Sequence, residues 1–558
     1  SQTVRIIGGN RTVTVNATTA TSYPESLTVH DLILRGLSGR PSLVLSNAGT
    51  ATPLRVLNGL SVEDGAKLVN LNSGLIVDAT VLTVTNAQMI QDGGFVRTTN
   101  ATMRLLNGVY YMTNGVFEGG TVWAGTPFPA IPGQFNQYGG SVKITDLGLN
   151  NNYSLYGGTL DLPGGMNLLG RPGGTSYFQA GGTNRTSHVL MEDSDGGADL
   201  TLNGGLLAAG DVDVRSGWFG RSTFTQNGGT HIVTNALTVV GGATTGATPK
   251  PAEYHLNSGT LSAHSIELNG NPGDASFVQS NGTTSAETIY AHSVGYFLSF
   301  VTSITLAGGS LSCSNFTLDD GRGNFNQSGG ALVVRNLLDI GGVRNVGWVY
   351  YGHYTFTGGT VTASNINITD WSIGDGSTNR ISNPGFFSLS HTLQIGNAVE
   401  QLGRFVLATN ATINLAGSAS RLSFAKSSGQ IWPGGATLVV ANWNGNPSGG
   451  GAEQLKFGSD QSGLTPAQLA QVLFANPAGM PGGNYPAMIL ATGEVVPGPR
   501  PIMSMTHSSN GMVISWSSSY QLFTSTNVLG PYTVISTATS SYTNSFSEPR
   551  RFFILRSP

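Results

Sequence analysis

The sequence predicts an all-β protein, an elongated β-solenoid (β-helix), and three observations carry that reading. A short unit, typified by Phe224 to Gly242 (FTQNGGTHIVTNALTVVGG), recurs along the chain. Gly accounts for 79 of 558 residues and charged residues for 10%, about twice and under half of their usual shares. The hydrophobic residues, 39% of the chain, fall in short alternating runs, which is the two-residue period of strands rather than the signature of disorder. One such unit has no core of its own. Copies must stack and bury each other's inward faces.

Residues 1–134 are strand-like but irregular, and read as early turns plus a cap. RTVTVNATT (Arg11 to Thr19), SLTVHDLILRG, PSLVLSN, AKLVNLNSGLIV and TVLTVTNAQMI alternate apolar and polar residues between Gly, Asn and Asp turn signals. The amino-terminal strand, Thr3 to Val15, with Val4 and Ile6, is suited to pairing with another copy, because a bare sheet edge recruits other chains.

Residues 135–404 form the regular array. Units begin at Phe135 (FNQYGGSV), Tyr153 (YSLYGGTL), Tyr177, Leu200, Phe224, Tyr254, Phe277, Ile304, Phe325 and Tyr354. The third position alternates between Gln (Gln137, Gln179, Gln226, Gln279, Gln327) and Leu or Phe (Leu155, Leu202, Leu256, Leu306, Phe356), a two-turn superperiod. Each turn supplies two or three short strands, with the Gly pair at a corner that needs positive φ or close backbone approach. Positions one and three share a face. The favoured reading turns that face inward, with aromatics in a column and Gln between Leu layers; buried Gln needs partners, so an outward face is the alternative. About 18–20 turns at the spacing of paired strands would make a rod of about 90 Å.

Inserts between units carry Trp218, Phe219, Tyr296, Phe297, Trp348, Tyr350, Tyr351 and Trp371. Such insertions map to one face of a solenoid, so these aromatics are interface candidates. Residues 405–499 read as closing turns, a capping helix over 465–476 and a linker, ATGEVVPGPRP (Ala491 to Pro501). Thr465 fits an N-cap, Pro466 the first helical position and Gln468 a capping box, with Leu469, Val472 and Leu473 on one apolar face. Residues 500–558 read as a small β-sandwich-like domain of six strands anchored by Trp516, a reduced fibronectin-III-like arrangement.

The net charge of −3 gives no footprint for nucleic acid. No apolar run is long enough to span a membrane as a helix. The first residues, SQTVRIIGG, hold no signal peptide, yet the composition is that of a secreted protein, so Ser1 is expected to follow a cleavage site. Cys313 is the one cysteine, which excludes a disulfide framework within the chain and reads as a small buried hydrophobe.

The FxQxGGT and YxLxGGTL units, followed by FGSDQSGLTPAQLAQVLF (Phe457 to Phe474), resemble the secreted β-strand-repeat proteins of environmental bacteria, including autotransporter-associated repeats and passengers of PEP-CTERM type. FTSTNVLGPYTVIS and RRFFILRSP resemble the small β-domain often appended to them. The resemblance implies a large extracellular or cell-surface β-solenoid and carries over no catalytic residues. This chain shows no translocator barrel, no PEP motif with a hydrophobic tail and no LPxTG-like signal.

Polysaccharide-degrading solenoids need clustered acidic and basic groups. Here MEDSDGGAD (Met191 to Asp199) has oxygen-rich calcium-loop character without EF-hand spacing, so Asp193, Asp195 and Asp199 are candidates for a structural Ca²⁺ and otherwise solvated turn residues. The nine histidines form no HExxH or HxH pair. The expectation is therefore a non-enzymatic extracellular structural protein, needing no cofactor, that self-assembles with other copies into a filament, sheath or surface layer. The alternative is an adhesin that binds extracellular polysaccharide.

Overall fold

The computed structural model describes residues 2–99, 101–126, 131–170, 174–193, 196–217, 220–242, 251–270, 273–292, 301–318, 323–340, 353–356, 360–369, 386–396, 399–407, 409–415, 418–499, 503–516, 520–545 and 550–556. The chain is nearly all β. Among the described residues, thirty-nine strands form one continuous sheet that coils on itself, and two three-stranded sheets follow it.

The turn that contains Phe224 shows how the sequence makes this shape. The strand Ser222–Gln226 forms the first face, pairing in parallel with Ala198–Leu202 of the preceding turn and Ala252–Leu256 of the next. Asn227 to Gly229 make the corner. The strand Thr230–Val240 then makes the second and third faces, bending where its register to Thr260–Asn269 shifts between Val233 and Ala236. Gly229 explains the obligatory residue of the corner: its φ is +69°, and a Cβ there would stand 2.7 Å from the Gly205 carbonyl oxygen one turn below. The preceding position also holds Ser258 and Asn281 in other turns, so the second glycine is the one that the left-handed backbone requires.

Positions one and three point inward. Phe135, Tyr153, Tyr177, Phe224, Tyr254, Phe277 and Phe325 are buried, and consecutive rings stack, as in Phe135 and Tyr153 at 4.8 Å and Phe224 and Tyr254 at 4.6 Å. Burying one such ring contributes roughly 1.5–3 kcal/mol. The glutamines lie in the same core and are satisfied there. Gln137 Nε2 donates to the Gly140 carbonyl (3.3 Å) and to the Thr159 carbonyl of the next turn (2.8 Å), while the Tyr153 hydroxyl donates to its Oε1 (2.6 Å). Gln226 repeats the pattern with Gly229, Thr260 and Tyr254. The partners that buried Gln requires are thus backbone carbonyls and a hydroxyl, which comes from the next turn's tyrosine here, from Tyr177 of the same turn at Gln179 and from Thr284 at Gln279.

The regular stack has about 14 turns rather than 18–20, a length of roughly 65 Å at the strand spacing. At the start, Thr3 to Val15 is two strands, Thr3–Ile7 and Thr12–Asn16, broken by Gly8 and Gly9 at positive φ. The expected strand through Thr19 stops at Asn16, whose side chain accepts from Thr19 N (2.9 Å) and caps the helix Ala17–Ser22. That second short helix packs on the strand Ser42–Glu63. The repeat unit itself starts before Phe135: Met89, Gln91 and Gly94 hold the aromatic, Gln and corner positions, and Gln91 Nε2 donates to the Val116 carbonyl (3.0 Å).

The capping helix is shorter than 465–476. Thr465 and Gln468 form the expected capping box, but the helix spans only Pro466–Leu469 and gives way to the strand Val472–Ala475, where Val472 is buried by the two-residue period of the sheet. The far end is closed by antiparallel strands, Asn484–Ile489 and Glu494–Pro497, so part of the stretch expected as linker is a fully buried strand. Beyond it, all six expected carboxy-terminal strands form. Met503–Ser508, Gly511–Trp516 and Ser541–Asn544 make one sheet, and Gln521–Ser525, Thr533–Val534 and Phe552–Arg556 the other. They have a separate core of Ile514, Trp516 and Leu522, and Trp516 Nε1 donates to the Tyr520 carbonyl (2.7 Å).

Candidate functional site: the outer face of the short strands

With positions one and three inward, positions two and four of each unit must point to solvent. Position four sits at the corner, and backbone bonds fix its register from turn to turn: Tyr156 N donates to the Gln137 carbonyl, Ala180 N to Leu155, Asn203 N to Gln179, Asn227 N to Leu202 and Asn257 N to Gln226. Tyr138, Tyr156, Ala180, Asn203, Asn227 and Asn257 therefore form one straight, exposed column along the rod.

The column has two chemistries. Tyr138 and Tyr156 are 49% and 43% exposed and stack face to face, centroids 4.7 Å apart and planes within 5°. Phe178, at position two of the following turn, meets Tyr156 edge-on at 5.9 Å. Beyond Ala180 the asparagines form an amide ladder: Asn257 Nδ2 donates to Asn227 Oδ1 (2.8 Å), and Asn227 Nδ2 to Asn203 Oδ1 (2.9 Å). Each link uses one N–H of an amide that has two.

Beside the ladder lies a charged group in an otherwise charge-poor rod. Asp199, Thr223 and Glu253 occupy one outward column in successive turns. Arg221 pairs with Glu253, its Nε donates to Thr223 Oγ1 (3.0 Å), and His255 Nε2 lies 3.0 Å from Glu253. Gly196, Gly197, Asp199, Arg221 and Thr223 line a depression of about 440 Å³. Desolvation pushes the Asp199 carboxyl above the usual range, with the Arg221 charge and a hydrogen bond from Thr223 opposing it.

The expected site residues fare differently. Trp218, Phe219, Tyr296, Phe297, Trp348, Tyr350, Tyr351 and Trp371 lie outside the described residues, as does Asp195. Asp193 ends the strand Thr183–Asp193. Asp199 is exposed, and the charged neighbour on its face is the guanidinium of Arg221, which does not suit a calcium ligand. Among the described residues no group of three or more His, Cys, Asp or Glu converges as a metal site would. Val4 is half-buried and Ile6 is buried against the core, so the apolar side chain that the strand Thr3–Ile7 shows to solvent is Ile7. Tyr138, Tyr156 and the three asparagines are additions. Their signal was position four of the unit, which the period of two already assigns to the surface.

Fold and surface together define a parallel β-solenoid repeat protein with an aromatic and amide column on its outer face. No protein-family description, characterised protein or solved structure matches the chain.

Proposed function

We propose that this chain is an extracellular, non-enzymatic surface rod of the secreted bacterial β-strand-repeat class, and that it adheres to polysaccharide through the outer face of its short strands. The observation that carries this reading is the half-exposed Tyr138 and Tyr156 pair, stacked face to face on adjacent turns of the outer surface. Half-exposed aromatic rings cost solvation, and their edges and hydroxyls offer apolar contact and hydrogen bonds to a sugar. The inward columns build the core of the rod and leave the side chains of this face outside it. The reading predicts that the purified chain is retained on insoluble polysaccharide and that Tyr138→Ala with Tyr156→Ala releases it. Retention unchanged in the double variant would refute it.

Self-assembly into a filament, sheath or surface layer is a second reading, favoured by a different observation. Among the described residues, the first-turn strands Thr3–Ile7 and Thr12–Asn16 each pair with a single strand, and they consist mostly of Thr, Val and Ile without proline. Edges of that kind recruit further strands. The far end closes with antiparallel strands that include Pro486 and Pro497, so growth by simple end-to-end continuation of the stack is disfavoured and lateral or head-to-head contact is favoured. Sedimentation across concentration and electron microscopy decide it, and a monodisperse monomer throughout would exclude it.

A further inference from the structure

The outer face of the short strands carries a charge pattern along its length. Position zero, the residue before position one, is an outward column held in register from Ser42 through Lys67, Gln134 and Asn152 to Asp199 and Glu253. Near its start Arg40 and Lys67 line a depression of about 410 Å³. Among the described residues, no carboxylate lines it or pairs with either cation. Asp199 stands six strand spacings beyond Lys67 and Glu253 eight, two carboxylates against the one guanidinium of Arg221. The turns midway are those of Gln134 and Asn152, which carry Tyr138 and Tyr156. Position two adds apolar side chains around that midpoint. Val69, Ile90 and Tyr111 stand in outward register, Phe178 lies in the same column three turns past Tyr111, and none of the four is fully buried.

We propose that this face binds the same face of a second copy with the rods antiparallel, about a two-fold axis that runs along the strand direction between Tyr138 and Tyr156. This rests on the self-assembly reading above and names the surface and the orientation. Such an axis sets each column opposite itself and reverses the order of the turns. Tyr138 then meets Tyr156 of the second copy through ring edges and hydroxyls, and Tyr111 meets Phe178. Lys67 falls opposite Thr223, between Asp199 and Glu253, and Arg40 falls at the level of Glu253. Asp92, at position four of its turn, falls opposite the uncharged amide of Asn203. Unlike charges are thus brought together at both ends and apolar side chains at the centre. A parallel pair would set the cations of both copies at one level. Positions zero to four span about 13 Å and the nine spacings from Ser42 to Glu253 about 43 Å. The pair would bury roughly 1,100 Å² in total, which reaches the lower end of specific interfaces. The tyrosines cannot meet a sugar and a second copy at once, so polysaccharide and the dimer compete for this face.

The test is analytical ultracentrifugation of the full chain across concentration, with charge-reversal variants and cysteine cross-linking. The wild type should form a dimer that weakens as salt is raised. Lys67→Glu alone and Asp199→Lys alone should each weaken it about tenfold or more, and the double variant should recover it. Both side chains stand outside the core, and the double variant, which must fold to associate, controls for folding. For orientation, Asn136→Cys lies one strand spacing from its own image across the axis and should be joined by a short bis-maleimide, whereas Ser276→Cys, one turn past Glu253, should not. The native Cys313 is buried and does not compete. A dimer that neither charge variant weakens would overturn this face while leaving self-association to the first-turn strands. Weakening by both single variants without recovery in the double would overturn the pairing of Lys67 with Asp199. Cross-linking of Ser276→Cys as readily as Asn136→Cys would overturn the antiparallel order. A monomer at every concentration would overturn the self-assembly reading together with the interface.

Discussion

His231 is the most exposed to refutation of all the buried groups. It stands at the second position of the strand Thr230–Val240, between Leu207 of the preceding turn and Leu261 of the next, and is fully buried. Its ring stacks on Phe224 at 4.7 Å. The Tyr254 hydroxyl gives its proton to Gln226 Oε1 (2.7 Å), so its oxygen accepts from His231 Nδ1 (2.8 Å). Nδ1 therefore carries a proton, and Nε2 faces the core without a partner for a second one, so the buried imidazole is neutral. Desolvation lowers its pKa from 6.5 to about 3. A base whose folded pKa is depressed costs nothing above the unfolded value. Below pH 6.5 the unfolded chain takes up a proton that the folded chain refuses, and stability falls until the folded pKa is reached. At pH 5 the gap is about 1.5 pH units, or about 2 kcal/mol at 1.36 kcal/mol per unit. The comparison is His231→Leu, which continues the Leu column and leaves the Tyr254 proton on Gln226. Urea unfolding of both chains at pH 8 and pH 5 should show the variant gaining about 2 kcal/mol on the wild type as pH falls. A difference that stays constant between the two pH values would refute the neutral, desolvated histidine.

Further outcomes follow from the core and the closing turns. Gly229→Ala should cost about 1–3 kcal/mol, because it combines a positive φ with a backbone contact that cannot yield, and thermal unfolding measures it. Burial raises the Glu453 carboxyl above its ordinary value against a hydrogen bond from Asn444 N (2.6 Å). Its folded state therefore favours the protonated acid, and stability falls as pH rises from the unfolded pKa through the folded one. Glu453→Gln should raise the melting temperature at pH 7 and lose that advantage at pH 4. Burial pushes the Cys313 thiol up to about 12, so a thiol reagent at pH 8 should label it only after unfolding, and labelling of the native chain would contradict the inward position.

Much of the fold was legible because it depends on two periods. The period of two within a strand placed Phe224 and Gln226 on one face, and the recurrence of the unit required that face to be shared between turns. The corner was legible for the same reason, since a residue with positive φ recurring at one place in every unit is a glycine. What did not read was set by non-local partners. Nothing local separates Asn16 as a helix cap from the other Asn-Ala-Thr sequences, and Val472 reads equally as a helical or a strand residue until the strand Leu438–Ala441 pairs with it. Met89 carries no aromatic, so its turn escaped a pattern keyed to Phe and Tyr. The surface column was legible in principle, because a face that excludes positions one and three must show position four.

The alternation of Gln and Leu joins the core to that surface. Each Gln amide spans its own corner and reaches the first carbonyl of the next turn's second face, as Gln137 does to Thr159 and Gln179 to Leu206 (2.9 Å). The alternate units carry leucine, which asks for no partner, and the glutamine oxygen is completed by the next turn's tyrosine at Gln137 and Gln226, by Tyr177 of its own turn at Gln179 and by Thr284 at Gln279. The polar requirements of the core are thus closed within pairs of turns. The side chain at position four then takes no part in the hydrogen bonding of the core. Along the column its residue changes from Tyr to Ala to Asn to Ser while the inward pattern persists, and a position that varies in chemistry where the architecture does not is where a rod can carry a ligand-specific surface.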